Sequence, residues 1–585
     1  MHRRGPDHTA YRRWTNNKGR NTYLLHSRLS IIDLDPRAHQ PFQHGSKWIV
    51  LNGELYNYRE VRNKLEAAGN SFRTSSDTEV LLQAIDQGGT NILDQCEGMW
   101  AFAIYDEASG DLLLSRDRFG EKPLWLYRTP DGVYFASEIK FICTLLEKSI
   151  PVNVNTLLRF MINGYKALYK SSETFFHQLE ELPRASVLNF SGEGEERLWK
   201  YWTPVFQQNL AMSISDAVKG TRERLIHSVE LRLRADVPLA FCMSGGVDSN
   251  ALISIAKRVF DYNVHGFTIV NTDTRYEEND LVTAAVKELE IRHSVIPIQR
   301  HSFIERMREL VRYHDAPVYT ITYFAHWLLM QAIAENGYRI SLSGTAADEL
   351  FSGYYDHYLA YLFEVRKEPD FSRSLENWET YIKPTARNPY LKDPKRFIQD
   401  PNFRDHLYLN ADDFSGYFYR PWKEEFAEQN YCSDLLRNRM ANEIFHEATP
   451  VILHEDDLNA MYFSVENRSP YLDRHLFEFS STIPTKHLIQ NGYAKAILRK
   501  AMDGIVPNPI LENRKKVGFN APIFDFLDRS DPDVGAYLLD DSPIFDIIRK
   551  DKIAQLLKKG DLPNSESKFL FYFLSSKLFL EEFGK

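Results

Sequence analysis

Short apolar or alternating runs, separated by turn residues, fill the first third of the chain and predict antiparallel strands. The segments 106–111 and 129–132 contain Asp and Gly and predict hairpin turns between neighbouring runs. Two helices interrupt the strands, and Asp77 or Thr78 is the predicted N-cap of the second. An α+β layered domain follows from this pattern. The predicted strands are 48–52, 100–105, 112–116, 124–127 and 133–137, and the predicted helices are 58–68 and 78–87.

The pattern changes near residues 182–205, where Pro and Gly predict a connector. A long amphipathic helix is predicted at 214–233, and buried strands then alternate with helices, which is typical of a parallel sheet. The remaining sequence predicts mainly helices. Its part at 355–452 is irregular and rich in aromatic residues, and the last apolar helix is predicted to dock on a core. We therefore expect two domains, 1–190 and 210–585. The predicted strands are 238–243, 265–270 and 340–343, and the predicted helices begin at 249 and 279.

Composition and charge limit the class of protein but do not indicate an activity. Hydrophobic residues make up 43% and charged residues 26% of the 585, as in ordinary globular domains. Lys and Arg number 71 against 80 Asp and Glu, a net charge of −9, which disfavours a nucleic-acid binder. Four scattered cysteines exclude a disulfide framework, and no apolar run is long enough to predict a membrane span. We expect a cytoplasmic protein that binds neither nucleic acid nor membrane.

The sharpest chemical signal is MSGGVDS at 243–249, between a predicted strand and a predicted helix. Gly245 and Gly246 let the backbone turn tightly and approach a ligand, and N–H groups at a helix N-terminus face an anion. Asp248 can hold a cation. The segment lacks the Gly-Lys-Ser/Thr of a Walker A loop and the spacing of a dinucleotide-binding loop. The alternative is a strand–turn–helix junction in which Gly-Gly serves the turn alone.

This loop resembles the pyrophosphate loop of the ATP pyrophosphatases, which adenylate a carbonyl or carboxylate group. The resemblance extends to the asparagine synthetase family, whose motifs occur here in the family's order. It implies an α/β parallel-sheet ATP-pyrophosphatase domain with a largely helical C-terminal part. The matching segments are LSGTAADELFSGY at 342–354, ENRSPYLD at 466–473, KAILR at 495–499 and RKKVGF at 514–519.

The resemblance also implies which residues bind ATP. Met243 and Ile269 would flank the adenine and form an apolar slot. Ser343 and Gly344 would close over the nucleotide. The triphosphate would lie against the loop residues Ser244, Gly245, Gly246, Val247, Asp248 and Ser249.

Three further residues would act in the chemistry of the same domain. Asp348, with Asp248, would hold Mg²⁺ on the phosphates, because hard cations take carboxylate oxygens. Lys495 would steady the departing pyrophosphate, a concentrated negative charge. Glu466 would position the acceptor or move protons. Asp348 could instead belong to a solvated loop pair with its neighbour Glu349.

The first third resembles the class II glutamine amidotransferases, whose fold is a four-layer α/β/β/α sandwich of the N-terminal-nucleophile hydrolase type. Six segments carry this resemblance, again in the family's order. They are RGPD at 4–7, RLSIID at 28–33, LNGELYN at 51–57, SDTE at 76–79, RDRFGEKPL at 116–124 and ASEIK at 136–140.

A glutamine site needs groups for both ends of the substrate. The resemblance assigns Arg28 to the α-carboxylate, since a guanidinium pairs with it in a fork. Asp77 and Glu54 are candidates for the α-ammonium group. Asn52 and Gly53 fit an oxyanion hole, although Asn-Gly alone would more often form a type I′ hairpin turn.

The chain departs from the amidotransferase pattern at its start. The family's nucleophile is an N-terminal cysteine, whereas residue 2 here is His2. Cys96 precedes a predicted core strand and is not a substitute. We expect that the chain begins at an internal Met; the alternative is an enzyme that uses free ammonia. As printed, the chain carries no predicted glutaminase nucleophile.

A second departure concerns the acceptor. Thr345 stands where asparagine synthetases carry a Glu of the synthesis site, and the segment 355–452 is longer than the usual stretch between these motifs. The segment could shape a pocket for a larger carboxylate or be an ordinary helical extension.

The predicted function is that of an ATP-dependent amide ligase, a carbon–nitrogen ligase of the asparagine synthetase type. Aspartate, ATP and glutamine or ammonia would give asparagine, AMP and pyrophosphate through β-aspartyl-AMP. The alternative is an amidotransferase of the same family that amidates another carboxylate, such as a sugar acid in surface-polysaccharide biosynthesis. A nonenzymatic glutamine or nucleotide sensor is a third hypothesis, disfavoured by the intact loop, Asp348 and Lys495. ATP and Mg²⁺ are the expected cofactors, and the expected substrates are small molecules. The sequence leaves undecided whether the chain forms a homodimer.

Overall fold

Two antiparallel layers face each other in the first 200 residues. The computed structural model describes residues 1–270, 279–298, 301–408, 410–514, 523–528, 531–559 and 562–584. The strands of this region are β1 (His8–Thr15), β2 (Asn21–Arg28), β3 (Phe42–His44), β4 (Lys47–Leu55), β5 (Gly98–Asp106), β6 (Leu112–Arg116), β7 (Trp125–Thr129), β8 (Gly132–Ala136), β9 (Leu179–Glu181), β10 (Ser186–Phe190) and β11 (Glu196–Lys200). The helices are α1 (Tyr58–Ala67), α2 (Asp77–Gly88), α3 (Ile139–Leu146) and α4 (Val154–Asn163).

Alternating residues along the central strands build four layers. Six strands form one sheet in the order β11-β10-β6-β5-β4-β3, and the sheet β8-β7-β9 and the ribbon β1-β2 lie opposite. Ile49 and Leu51 of β4 pack against α1 and α2. Trp48 points the other way and meets Leu126 of β7 and Leu24 of β2. Helices α3 and α4 pack on the far side of β7. The predicted α/β/β/α sandwich is confirmed.

Two details of this domain differ from the sequence predictions. Helix α2 is capped by Ser76, whose hydroxyl accepts the Thr78 N–H at 3.1 Å, so Asp77 and Thr78 lie in its first turn. The segment 182–205 is not a bare connector. It contains β10 and β11, which extend the six-stranded sheet, and its glycines lie in the turn between these strands.

A five-stranded sheet, parallel throughout, forms the centre of the second domain. Its strands are β12 (Leu239–Cys242), β13 (His265–Ile269), β14 (Arg292–Ile296), β15 (Ile340–Leu342) and β16 (Glu466–Arg468). Their order is β14-β13-β12-β15-β16. The chain leaves β12 toward β13, while β15 pairs on the other side, so a crevice opens where the carboxyl ends of β12 and β15 meet. The parallel sheet is confirmed, with β14 and β16 as additions that the pattern did not predict.

Helices surround this sheet and form the rest of the described chain. They are α5 (Ile214–Arg232), α6 (Val247–Arg258), α7 (Asn279–Leu289), α8 (Phe303–His314), α9 (Ile321–Glu335), α10 (Ala347–Phe351), α11 (Tyr355–Glu364), α12 (Phe371–Tyr381), α13 (Arg396–Gln399), α14 (Ala411–Ser415), α15 (Leu435–His446), α16 (Ala448–Met461), α17 (Arg474–Thr482), α18 (Ala496–Ala501), α19 (Asn508–Glu512), α20 (Pro532–Leu538), α21 (Lys550–Leu557) and α22 (Asn564–Phe583). Residues 569–580 of α22 are all buried, which confirms the docked final helix. Among the described residues, no helix has the length and apolar character to cross a membrane.

Buried charges join the two domains. Arg4 donates to both carboxylate oxygens of Asp457, at 2.8 and 3.2 Å, and to Glu138 at 3.1 Å. Asp457 lies on α16 and also pairs with the Lys122 ammonium group at 3.3 Å. All four side chains are buried. Asp457 is compensated across the domain boundary by Arg4 and Lys122, whereas Glu138 is compensated within the first domain by Arg4 and Lys140. Loss of Arg4 would therefore weaken the compensation of two buried carboxylates.

We predict that Arg4→Ala lowers the free energy of unfolding by about 3–5 kcal/mol, because Asp457 and Glu138 lose a buried cation. Arg3→Ala is the matched control: the Arg3 side chain is half exposed and pairs with Glu309 at 3.9 Å, so the expected loss is no more than about 1 kcal/mol. Urea unfolding of both variants measures the difference. Equal losses would contradict a structural role for the buried network.

Candidate active site

The glycine loop turns from β12 into α6 in the second domain. Its backbone is held from within: the Ser244 N–H donates to the Ser249 hydroxyl at 3.2 Å, and the Gly246 N–H donates to the Ser244 hydroxyl at 3.2 Å. The Asn250 amide donates to the carbonyls of Ser244 and Gly246 at 2.8 and 2.7 Å. Gly246 is the N-cap residue of α6. The loop is therefore preformed at a helix N-terminus, the end that attracts anions.

Lys495 lies between the two aspartates that the resemblance assigns to the metal. Its ammonium group is 2.6 Å from Asp248 Oδ2 and 2.7 Å from Asp348 Oδ1. Burial alone would lower the pKa of Lys495, but the charges of Asp248 and Asp348 outweigh burial and raise it. The three groups come from α6, α10 and the residue before α18, so packing of three separate helices assembles them.

A glycine allows this close approach. A Cβ added at Gly353 would lie 1.6 Å from Asp348 Oδ1 and 2.5 Å from Lys495 Cε. Gly353 thus leaves the space that the pair of Asp348 and Lys495 occupies. Lys495 itself has a φ of +54°, a left-handed conformation that is uncommon for a residue with a side chain.

The loop after β15 closes the crevice from the other side. A Cβ on Gly344 would lie 3.0 Å from the Asp248 Cβ and 3.2 Å from the Ser249 backbone nitrogen. The Ser343 hydroxyl bonds with Thr345 and accepts from the Asn467 amide, both at 3.0 Å. The structure therefore brings Ser343 and Gly344 next to the phosphate loop.

Met243 and Ile269 end neighbouring strands. The Met243 N–H donates to the Phe267 carbonyl at 2.8 Å, and its carbonyl accepts from the Thr268 hydroxyl at 3.0 Å. Both polar backbone groups of Met243 are thereby bonded, and its side chain is buried in the apolar core. Of the matched segment 514–519, the structure describes Arg514; the other five residues lie outside the described part of the chain.

A second cavity, of about 1720 Å³, lies within the first domain and reaches the second. All five residues predicted for glutamine line it, as do Met461 and Glu466 of the second domain. None of the four cysteines lines this cavity. Cys96 is buried in the core instead, and burial raises the pKa of its thiol to about 12, so it is a poor nucleophile. The predicted glutamine residues are Arg28, Asn52, Gly53, Glu54 and Asp77.

Asn52 and Gly53 lie inside β4, opposite Ala101 and Trp100 of β5. The hairpin-turn alternative for these two residues is therefore wrong. Gly53 has a φ of +138°, and a Cβ there would lie 2.1 Å from the Met99 carbonyl oxygen. A glycine is needed because β5 approaches so closely. The Asn52 amide faces the cavity rim and donates to the Ser137 hydroxyl at 3.3 Å.

Hydrogen bonds within the protein already hold the guanidinium group of Arg28. One terminal nitrogen donates to the Asp35 carbonyl and contacts His39 Nδ1, each at 3.1 Å. The other donates to the carbonyls of Ile32, at 3.2 Å, and Asp33. Binding of a substrate carboxylate by Arg28 would require some of these bonds to be exchanged.

Three carboxylates from both domains lie near one another at this cavity. Burial, followed by the charges of Asp77 and Glu466, raises the pKa of Glu54 well above its usual value. Burial also raises the pKa of Asp77 to about 6, against the opposing hydrogen bond from the Leu55 N–H at 2.8 Å. The Glu54 Oε2 atom is buried, and none of the described residues forms a hydrogen bond with it. A cation in the cavity would relieve this repulsion.

Glu466 is the predicted catalytic residue that the structure separates from the others. It pairs with Arg468 at 3.0 Å and with the Lys122 ammonium group at 4.0 Å, and it lines the first-domain cavity. Strand alternation explains this placement, because Asn467, between Glu466 and Arg468, faces Ser343 instead. The structure groups Glu466 with Glu54 and Asp77.

Sequence reasoning missed several residues of these sites. Lys122 lies within the matched segment 116–124, but its partner Asp457 could not be guessed. Asp456, which contacts Thr345 beside the phosphate loop at 3.5 Å, carried one faint signal: it belongs to the run Glu455-Asp456-Asp457 within an otherwise apolar helix. Consecutive side chains of a helix point in different directions, so three consecutive acidic residues in a buried helix need partners on different sides of it.

Comparison with known proteins identifies the family of the chain that carries these two sites. A family model described as asparagine synthase matches residues 220–581, and one described as a glutamine amidotransferase domain matches residues 1–202. The chain belongs to the asparagine synthase family. It is therefore an enzyme of the carbon–nitrogen ligase class, an ATP-dependent amidotransferase with a glutamine domain.

Curated relatives cover nearly the whole chain. Asparagine synthetase (glutamine-hydrolyzing) 1 of Bacillus subtilis (strain 168) is 29% identical over 555 residues, 91% of this chain and 85% of the relative. Asparagine synthetase (glutamine-hydrolyzing) 3 of the same organism is 28% identical over 547 residues, 88% and 82%. Amidase chry2 of Gibberella zeae (strain ATCC MYA-4620 / CBS 123657 / FGSC 9075 / NRRL 31084 / PH-1) is 24% identical over 569 residues, 88% and 82%.

We predict that Gly353→Ala reduces ATP turnover about 100-fold, because the added methyl group displaces Asp348 and Lys495. Gly535→Ala is the matched control, since a Cβ there meets nothing within 4 Å. Thermal unfolding checks that both variants fold, and ATP turnover with ammonium as the nitrogen donor measures the effect. Full activity of Gly353→Ala would contradict the proposed importance of this contact.

We also predict a pH-dependent gain in stability for Asp77→Asn. An unfolded aspartate titrates near pH 3.9, whereas the folded group titrates near 6, so ionisation of Asp77 destabilises the fold as the pH rises through 6. Relative to the wild type, the variant should gain about 1 kcal/mol of unfolding free energy between pH 5 and pH 7.5. Urea unfolding at both pH values measures this gain. Asp261→Asn, at a carboxylate that is 97% exposed, should show no such gain.

Proposed function

We propose that this enzyme amidates aspartate to asparagine, with ATP converted to AMP and pyrophosphate. The observation that carries the proposal is the Lys495 ammonium group held between Asp248 and Asp348 at the mouth of the preformed loop. A phosphate loop alone binds an anion. A buried cation with two flanking carboxylates supports a site that also stabilises charge on a departing pyrophosphate.

The nucleotide would lie across the crevice between β12 and β15. The backbone of residues Ser244 to Ser249 would face the triphosphate, and Ser343 and Gly344 would cover it. The donor set of Asp248 and Asp348 suits Mg²⁺, which prefers carboxylate oxygens together with substrate phosphates. Bound there, Mg²⁺ would neutralise phosphate charge; Lys495 would then turn from the carboxylates toward the pyrophosphate.

The reaction would proceed in two displacements. A carboxylate oxygen of the acceptor attacks the α-phosphorus, and the bond to the β-phosphate oxygen breaks to release pyrophosphate. Ammonia then attacks the activated carbonyl carbon, and the carbon–oxygen bond to AMP breaks. Lys495 supports the first step, where negative charge accumulates on the leaving group. Activation is needed because a free carboxylate resists attack by an amine.

The glutamine cavity would supply the nitrogen. Its carboxylates Glu54 and Asp77 would hold the α-ammonium group of glutamine, and Asn52 and Gly53 would face the amide carbonyl as it becomes an oxyanion. Glu466 would contribute negative charge from the second domain to the same cavity, which differs from the acceptor role predicted from the sequence.

A second candidate acceptor is a different carboxylate, such as a sugar acid. Thr345, which carries no charge, and the likeness to a fungal protein named as an amidase favour this alternative. ATP–pyrophosphate exchange with aspartate and with a panel of other acids tests both candidates. Ammonium serves as the nitrogen donor in the full reaction, so that the assay does not depend on glutamine hydrolysis. If no acid in the panel supports exchange or AMP formation, the proposal is wrong.

We predict that Lys495→Ala lowers the rate of pyrophosphate formation by about 100- to 1,000-fold, because the charge of the leaving group loses its fixed cation. Lys500→Ala is the matched control, since Lys500 lies on α18 and donates to Gln490 at 2.6 Å, away from Asp248 and Asp348. Product analysis by mass spectrometry measures both rates. A loss of similar size in the control would indicate damage to α18 rather than to the chemistry.

A further inference from the structure

Asp456 lies on α16 at the edge of the synthetase crevice. Its Oδ2 atom accepts from the Thr345 hydroxyl at 3.5 Å, and its Oδ1 atom lies 3.3 Å from His326 Nδ1. The residue is 5% exposed, whereas the His326 side chain is 33% exposed. Asp456 is therefore almost fully buried, beside a histidine that is partly exposed.

Short contacts connect this carboxylate to the phosphate loop. The Thr345 hydroxyl lies 3.0 Å from that of Ser343, and the intervening Gly344 packs against the first turn of α6 at Asp248. An acceptor whose carboxyl group reaches the α-phosphate would extend past Gly344. Its remaining substituents would then lie within reach of Thr345 and Asp456.

Asp456 has longer contacts, at 3.5 and 3.3 Å, than the shortest contacts of its two neighbours on the helix. Glu455 accepts from the Tyr319 N–H at 2.7 Å and lies 3.2 Å from His314. Asp457 pairs with two cations, Arg4 and Lys122. Among the residues that the structure describes, no lysine or arginine pairs with Asp456, whose charged-group partner is His326.

A buried carboxylate without a cation is costly, because the protein does not replace the stabilisation that water gave its charge. Such a group is retained where a ligand supplies the missing charge. Thr345 on the neighbouring loop is neutral and cannot compete for a cationic ligand. The arrangement therefore places a weakly hydrogen-bonded carboxylate against Thr345, the residue after Gly344.

We infer that Asp456 is a specificity-determining residue that binds an ammonium group carried by the acceptor beside its reacting carboxylate. Thr345 and His326 position the carboxylate through contacts at 3.5 and 3.3 Å. This inference rests on the proposed function, and it selects amino dicarboxylates over sugar acids as the acceptor class. Asp456, rather than the residue at position 345, provides the negative charge of the acceptor site.

The test compares aspartate with succinate, which has the same carbon chain without the amine. The wild-type enzyme should prefer aspartate, and Asp456→Asn should raise the KM for aspartate by about 10- to 100-fold, the effect expected when a hydrogen bond to a charged group is lost. The KM for ATP and the constants for succinate should change less than about twofold. Asp261→Asn, the same chemical change at an exposed site, should alter none of these values.

A variant that moves the negative charge from position 456 to position 345 distinguishes a binding role of Asp456 from a structural role. Thr345→Glu in the Asp456→Asn background places a carboxylate on the adjacent loop, at the residue whose hydroxyl now lies 3.5 Å from Asp456 Oδ2. We expect this double variant to recover most of the lost affinity for aspartate. Thr345→Gln in the same background is the matched control, and it should recover none.

Three results would overturn the inference. They are equal use of succinate and aspartate by the wild type, an equal effect of Asp456→Asn on both acids, and rescue by Gln as effective as rescue by Glu. Thermal unfolding identifies a variant that fails to fold, and the wild-type comparison of the two acids decides the matter without any variant. Failure of the proposed function has a different signature, because then no acid would support pyrophosphate formation.

Discussion

The pair of bonds from Lys495 to Asp248 and Asp348 is the interaction on which the synthetase site depends. It connects α6, α10 and α18, which are separated by 100 to 150 residues in the sequence, at the carboxyl edge of one sheet. Two carboxylates so close together would repel each other without a cation between them. The same geometry requires Gly353 to remain without a side chain. Loop conformation, helix packing and charge thus depend on one ammonium group.

The charges of the glutamine cavity in the first domain are arranged differently. In the first-domain cavity, Glu54, Asp77 and Glu466 lie near one another; Arg468 pairs with Glu466 at 3.0 Å and more distantly with Glu54 at 3.9 Å, and Lys122 pairs with Asp457 at 3.3 Å. Burial first, and then the neighbouring carboxylates, raise the pKa values of Glu54 and Asp77 despite these cations. One site is neutralised internally, and the other is left electronegative. An electronegative cavity suits a substrate with an ammonium group, and an internally neutralised site suits a polyanion that displaces the lysine.

Much of the fold could be predicted because local patterns determine it. The alternation of Trp48, Ile49 and Leu51 specifies a strand with two covered faces, and the run before Gly245 specifies a buried parallel strand. Strand β16 could not be predicted, because a three-residue strand with two charged side chains has no hydrophobic period. The position of Glu466 at the first-domain cavity could not be predicted for the same reason: its direction depends on that strand's register. Asp456 escaped prediction because its environment comes from helices and loops distant in sequence, which no local pattern encodes.

The buried final helix has a consequence for synthesis of the chain. The ring of Tyr572 on α22 lies 4.8 Å from that of Phe160 on α4, and Phe579 lies 5.6 Å from Phe175. The first domain therefore shares its outer apolar surface with a helix that follows about 400 residues later in the chain. That surface stays exposed on the ribosome until α22 has been synthesised, a period in which a partly folded chain is prone to aggregate. Completion of the glutamine domain thus waits for α22, and the two halves mature together rather than in sequence.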